Sequence, residues 1–179
     1  MHAVRTLAVM ISAACVALVA CGACGACGGS PAKPTAPSPS TPSSLLGKPA
    51  PAFKRAAVDG TPIEVATAGK VVVVKFVAKY CEPCTRTLPA IERLHAKHPE
   101  IQIIAISEDE REAEAKELVA TYHLTFPMVH DNQQVLSARY RVRELPVTYI
   151  LDGKGNVAWV GGPEKSEADL VTAIETARP

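Results

Sequence analysis

A mixed α/β domain, with a central mixed β-sheet flanked by helices, is the fold class this sequence predicts, and three observations predict it. The run Val71-Val-Val-Val-Lys-Phe-Val77 is nearly continuous in β-branched residues, as a central strand covered on both faces requires. Leu88, Ile91 and Leu94 then recur at helical spacing, and Ile101-Gln-Ile-Ile-Ala-Ile106 reads as a second strand. Later in the chain two further strand runs precede a capped helix. Strands alternating with helices build a sheet with helices packed on it, not a bundle or a sandwich.

The elements follow in order. Pro49 and Pro51 delay regular structure, and Val58-Asp-Gly-Thr-Pro62 reads as a turn between two short strands. After the Val71–Val77 strand, Pro83 suits the first turn of a helix, where its missing N–H costs nothing, and that helix ends before Pro99. Following the Ile101–Ile106 strand, Glu108 to Tyr122 carries charges around Ala115, Leu118, Val119 and Tyr122, which predicts a surface helix. Val135, Leu136 and Tyr140 predict a shorter helix. Pro146–Leu151 and Asn156–Val160 read as strands of an antiparallel hairpin joined through Asp152-Gly-Lys-Gly155. Ser166-Glu-Ala-Asp169 has capping-box spacing ahead of Leu170, Val171 and Ile174.

The 179 residues divide into a leader (1–20), an anchor site and linker (21–46) and a folded domain (47–179). His2 and Arg5 precede an uncharged apolar run, Leu7–Ala20, shorter than a span of about 20 residues needs; it reads as a secretory signal. Leu18-Val-Ala-Cys21 resembles the lipobox of bacterial lipoproteins, which implies a diacylated Cys21 and a domain tethered to a lipid bilayer in the bacterial envelope, outside the cytoplasmic membrane. An ordinary cleaved signal is the alternative. Five prolines between Pro31 and Pro42, among Ser, Thr and Ala, make a linker with polyproline character. Lys plus Arg total 19 against 18 Asp plus Glu, and without Arg5 the two are equal, so the charge offers no footprint for nucleic acid.

Of six cysteines, Cys15, Cys21, Cys24 and Cys27 lie in the leading segment and only Cys81 and Cys84 in the domain, which excludes a disulfide scaffold. Cys21-Gly-Ala-Cys-Gly-Ala-Cys27 invites a metal reading, but no histidine or further cysteine pair lies nearby, and Gly-Ala spacers preorganise little. Cys81-Glu-Pro-Cys84 sits where the buried strand hands over to a helix. Cys81 at a helix N-terminus has its thiolate stabilised by unpaired N–H groups and the helix dipole, which makes it the candidate nucleophile. Cys84, one turn on, is the candidate resolving cysteine. A static disulfide or half a metal site remain alternatives; His95, His98, His123 and His130 form no compact ligand pattern, so neither a metal nor another cofactor is expected.

The chain resembles the thioredoxin superfamily, in particular its TlpA- and ResA-like envelope thiol-disulfide oxidoreductases. The resemblance runs from Gly47-Lys-Pro-Ala-Pro-Ala-Phe53 through Val74-Lys-Phe-Val-Ala-Lys-Tyr-Cys-Glu-Pro-Cys84 and Phe126-Pro-Met-Val-His-Asp131 to Tyr140–Gly155. It implies that Pro146 is a cis-proline facing the cysteines and joins Cys81 and Cys84 as the catalytic set, with the Leu145 backbone pairing with an extended substrate. Tyr80, Glu82, Pro83 and Leu145 are the expected substrate-binding residues. Two positions depart from the family: Tyr80 stands where Trp is usual, and Thr87 where many envelope members carry a glutamate that helps proton transfer. Glu82 is positioned to tune the charge around Cys81. Lys75 and Lys79 read as solvated or snorkelling strand-end residues. His95, His98, His130 with Asp131, Tyr122, Tyr140 and Trp159 read as packing or loop residues.

The expected activity is exchange of the CxxC disulfide with disulfide-containing protein substrates, and the resemblance implies a reductant, with cytochrome c maturation as a setting. An upstream membrane thiol-disulfide donor or acceptor would then supply or remove electrons. Two rival readings stand beside it. A peroxiredoxin-like thiol peroxidase needs a Thr where Ala78 stands and an arginine, for which Arg139, Arg141 and Arg143 are candidates. A metallochaperone would hold copper between the two thiols.

Overall fold

The computed structural model describes residues 43–65 and 69–178. Its contacts divide the chain into Met1–Ser38 and Pro39–Pro179, and the account below concerns the second unit. The leader, Cys15, the expected lipidation site Cys21, Cys24, Cys27 and most of the linker lie outside the described residues.

A two-stranded ribbon comes first. Strands β1 (Lys54–Ala56) and β2 (Pro62–Glu64) pair antiparallel, with Lys54 opposite Glu64. Asp59 closes the predicted turn by accepting the Thr61 N–H at 2.8 Å, and Gly60 takes the positive φ, +88°, that a side chain would resist.

The main sheet holds β3 (Val72–Val77), β4 (Gln102–Ser107), β5 (Met128–His130), β6 (Val147–Leu151) and β7 (Val157–Gly161) in the order β5-β4-β3-β6-β7. β3, β4 and β5 run parallel, whereas β6 is antiparallel to both β3 and β7. Every residue of central β3 is buried, as its β-branched run requires. Strand alternation sends Val72, Val74 and Phe76 to one face, where they pack with Ile104, Ile106, Tyr140 and Tyr149. Val73 and Val77 go to the other, with Cys84, Leu88, Ile91 and Leu94. Each such side chain contributes about 1.5–3 kcal/mol when fully buried. Phe76, Tyr140 and Tyr149 meet edge to face or tilted, and the Tyr149 hydroxyl donates to the Tyr140 carbonyl at 2.7 Å.

Among the described residues four helices cover the sheet: α1 (Glu82–Lys97), α2 (Glu112–Thr121), α3 (Val135–Tyr140) and α4 (Glu167–Ala177). α4 starts as its capping box predicts, with Ser166 Oγ accepting the Asp169 N–H and Asp169 Oδ2 accepting the Ser166 N–H. α2 begins at Glu112 rather than at the expected Glu108. Tertiary bonds hold the intervening chain out of helix: Glu108 N–H donates to the Val77 carbonyl at 2.9 Å, and buried Asp109 accepts the Lys79 N–H at 2.8 Å and the Ser107 hydroxyl at 2.8 Å.

Candidate active site

Helix α1 starts at the cysteine pair. Cys81 is its N-cap, with extended φ and ψ of −90° and 96°, and its Sγ accepts the Cys84 N–H at 3.2 Å. The Cys81 carbonyl takes the Cys84 and Thr85 N–H groups at 2.9 and 3.2 Å, starting the helix, with Pro83 in the first turn. The two sulfurs are joined as a disulfide. Cys81 is 9% exposed and Cys84 fully buried, so a partner reaches Cys81 alone. Once the bond opens, the helix N-terminus and the Cys84 N–H favour a thiolate on Cys81.

Cys81 lies in the wall of an open cleft of about 550 Å³, with Tyr80, Glu108, Ser137, Arg143 and Leu145 among its neighbours. Tyr80 is 74% exposed, a flat apolar face next to Cys81 at the cleft. Partial burial and then the charges of Glu108 and Asp109 raise its phenol pKa, keeping it neutral. The Leu145–Pro146 peptide is cis. Leu145 borders the Cys81 cleft, and the next residue, buried Pro146, borders a small cavity with Lys75, Thr87 and Thr148. The structure therefore brings Tyr80, Cys81 and Leu145 together. Glu82 instead faces a separate groove with Lys79, Tyr80 and Glu117, and pairs with Arg86 at 3.2 Å; Pro83 borders neither opening.

Several polar residues near the cysteines escaped the sequence reading. Half-buried Glu108 accepts the Ser137 hydroxyl at 2.6 Å, and burial followed by the charge of Asp131 raises its pKa. Asp131 in turn accepts the Leu136 and Ser137 N–H groups at 2.9 and 3.0 Å, which tethers the start of α3. Position carries a signal for Glu108 and Asp109: β4 pairs parallel with β3 up to Val77 opposite Ser107, so they follow the same carboxyl edge of the sheet as Cys81, where sites of open α/β sheets gather. Ser137 and Asp131 carry no such local signal. Lys79 behaves as expected, half-exposed and paired with Glu117 at 2.6 Å. Lys75 does not. It is 4% exposed, its Nζ donates to Thr148 Oγ1 at 3.3 Å, and burial pulls its pKa down to about 8. Of the three arginines considered for a peroxidase, Arg139 bonds the Ala52 carbonyl and Arg141 the Ser44 hydroxyl, while Arg143 borders the Cys81 cleft. Among the described residues no group of three metal-binding side chains is gathered.

The sequence profile of the AhpC/TSA family matches residues 46–160. The chain is 34% identical to the thiol-disulfide oxidoreductase ResA of Bacillus thuringiensis strain Al Hakam over 63% of its own length and 66% of the relative's, just under two thirds. To ResA of Bacillus thuringiensis subsp. konkukian it is 33% identical, over 75% of this chain and 79% of the relative. The fold matches a thiol:disulfide interchange protein of the thioredoxin family from Chlorobium tepidum TLS with a TM-score of 0.64 at 24% identity, over 78% of this chain and 99% of that one. The strand-to-CxxC-to-helix turn and the mixed five-stranded sheet around it are thus those of a thioredoxin-like fold, and the chain belongs to the AhpC/TSA family, among its ResA-like members.

Proposed function

We propose that this protein is a thiol-disulfide oxidoreductase that reduces disulfides in protein substrates. The observation that carries the reading is the asymmetry of the pair: Cys81 caps α1 at the wall of an open cleft, while Cys84, bonded to it, is fully buried. In the dithiol form the Cys81 thiolate attacks one sulfur of a substrate disulfide, and the other leaves as a thiolate. Cys84, deprotonated, then attacks Cys81 Sγ; the Cys81–Cys84 bond forms and the second substrate sulfur leaves with the bonding pair. Two electrons pass from the CxxC pair to the substrate. Leu145, at the rim beside Cys81, offers its backbone to an extended substrate segment, and Pro146, being a proline, has no N–H there to compete. Tyr80 supplies an apolar platform shared between the Cys81 cleft and the neighbouring groove that Glu82 borders.

Reduction is the direction that the family resemblance implies, and it requires a membrane thiol-disulfide donor to return electrons to Cys81 and Cys84. Anchoring through a diacylated Cys21 would hold the domain at the bilayer in the bacterial envelope, with residues to about 46 as tether; cytochrome c maturation is a setting that fits. No helix among the described residues is long and apolar enough to cross a membrane.

The test is to express Cys84→Ser, which leaves mixed disulfides on Cys81 unresolved, and to identify what is trapped while measuring the potential of the wild-type pair. Reduced partners and a low potential support the proposal; a strongly oxidising potential with folding substrates reverses its direction. Absence of any mixed disulfide removes it. Cys21→Ser tests the anchor in the same strain by moving the protein out of the membrane fraction. A thiol peroxidase is the second reading, favoured by Arg143 beside Cys81 and disfavoured by Ala78, whose methyl offers no hydroxyl. Rapid Cys81-dependent consumption of peroxide would put it first.

A further inference from the structure

Two openings meet at Tyr80. It borders both the cleft beside Cys81 and a groove of about 340 Å³ that has Glu82 and Thr85 of α1 and Glu117 and Leu118 of α2 in its walls. It is also the most exposed large apolar side chain among the described residues. The charges around it are unequal. In the groove they cancel, because Glu117 is paired with Lys79 at 2.6 Å and Glu82 with Arg86 at 3.2 Å. At the cleft they do not. Asp109 accepts the Lys79 N–H through both carboxylate oxygens, at 2.8 and 3.1 Å, and the Glu108 N–H donates to the Val77 carbonyl, so two acids are tied to the segment that leads into Cys81. Glu108 lines the cleft with Glu144; its Oε1 accepts from Ser137, while its Oε2 has no hydrogen-bond partner among the described residues. None of the ion pairs among the described residues includes Glu108, Asp109, Asp131 or Glu144. Arg143 is the one cation in the cleft wall and is itself unpaired, so four carboxylates stand against one guanidinium. The Tyr80 phenol registers this imbalance: after partial burial, its pKa is raised by the charges of Glu108 and Asp109, with no cation offsetting them.

We propose that the Cys81 cleft selects protein disulfides flanked by lysine or arginine, with Glu108 and Glu144 as specificity-determining residues and the Tyr80 ring as the surface over which the cationic side chain lies. The inference names a substrate class for the exchange reaction proposed above and rests on that reaction. An ammonium or guanidinium next to the substrate cysteine donates to the free oxygen of Glu108, while its apolar stem covers the Tyr80 ring, whose electron-rich face attracts the cation. A glutamate or aspartate at the same place meets unpaired carboxylates of like charge, in a cleft whose low-dielectric walls concentrate their field, and its encounter is slowed. Arg143, exposed at the rim beside Glu144, leaves the sign of the cleft negative. The bonds that break and form at sulfur are those already written for the exchange. Flanking charge acts on the approach and seating of the substrate, before any sulfur is attacked.

The experiment uses synthetic peptides that carry one cysteine as a mixed disulfide with 2-mercaptoethanol and differ only in the residues on either side of it: arginine, glutamine or glutamate. Each is mixed with an excess of the reduced full-length chain at about pH 8, above the glutamate range, quenched with acid at timed intervals, and followed by chromatography of the released peptide thiol. Dividing each rate by that of the same peptide with dithiothreitol removes the effect of flanking charge on the disulfide itself and on any attacking thiolate. At about 20 mM ionic strength the corrected arginine rate is expected to exceed the glutamate rate about tenfold, with glutamine between them, and the ratio to fall below about twofold at about 0.5 M salt. Glu108→Gln is expected to cut the ratio to about threefold and Glu144→Gln to about half its wild-type value, while Tyr80→Leu lowers the arginine rate about twofold relative to glutamine. A wild-type ratio within about twofold at low salt, or a faster glutamate peptide, overturns the proposal, as does a ratio that Glu108→Gln and Glu144→Gln both leave unchanged. Should Glu108→Gln not fold, Glu144→Lys decides: a ratio below about threefold supports the proposal and an unaltered one overturns it. If the reduced chain opens none of the peptides, the exchange reading itself fails, an outcome separate from the others.

Discussion

Glu108 shows how a single carboxyl can be set by its surroundings. Ser137 has one hydroxyl proton, yet its Oγ lies 2.6 Å from Glu108 and 3.2 Å from Asp131. The hydroxyl donates to Glu108 across the shorter contact, and burial of that carboxyl makes it hold its own proton more tightly than an exposed glutamate does. The consequence for stability has a definite sign. Just above the ordinary glutamate range the folded state holds this proton more tightly than the unfolded chain does, so stability falls as pH rises from about 4.5 towards the raised value. Glu108→Gln is expected to flatten that part of the curve, and urea unfolding at half-unit pH steps from 4 to 7 reads it; an unchanged slope would place the proton elsewhere. Lys75 marks the limit of reading at this scale. The β-branched run around it marks β3 as a buried strand, which it is, but a lysine's tip can travel several ångströms to water. Whether it does depends on what covers it, here α1 and the β7–α4 connection.

Elements whose ends are made by their own residues were legible; those ended by distant groups were not. The start of α4 is local, since Ser166 and Asp169 cap one another, and the Ser166 N–H holds the Asp169 pKa low. Ser166→Ala should cost about 1 kcal/mol, measurable as a lower urea midpoint at unchanged slope. The start of α1 is local as well, because Cys81 accepts back from its own first turn. By contrast α2 starts late because Asp109 serves Lys79, thirty residues upstream, a pairing that no window of sequence contains. The same bond ties the β4–α2 connection to the backbone that leads into Cys81. Pro89, inside α1, removes one N–H that would have served the Thr85 carbonyl, yet the helix continues to Lys97 because Leu88, Ile91 and Leu94 remain packed against the sheet.

For the molecule as a whole, the α/β class, the parallel β3–β4 unit and the β6–β7 hairpin followed from the order of elements, since a helical crossover joins parallel strands and a short turn joins antiparallel ones. That β6 would lie against β3 did not follow, because it depends on contacts made far apart in the chain. This long-range pairing brings Leu145 to the Cys81 cleft and Pro146 to the cavity beside Thr87 and Ile91 of α1, so the part of the site least readable from the sequence is the part assembled by topology. The disulfide itself spans only three residues of separation. Loop-closure entropy for so short a ring constrains the unfolded chain by about 2 kcal/mol, against nearly 5 for a ring of a hundred residues. Oxidised and reduced forms should both unfold cooperatively, with melting midpoints within about 10 °C of each other by calorimetry, and a reduced form lacking a cooperative transition would contradict this. Because the bond staples so little, it can be made and broken through many turnovers while the buried sheet alone keeps the domain in shape.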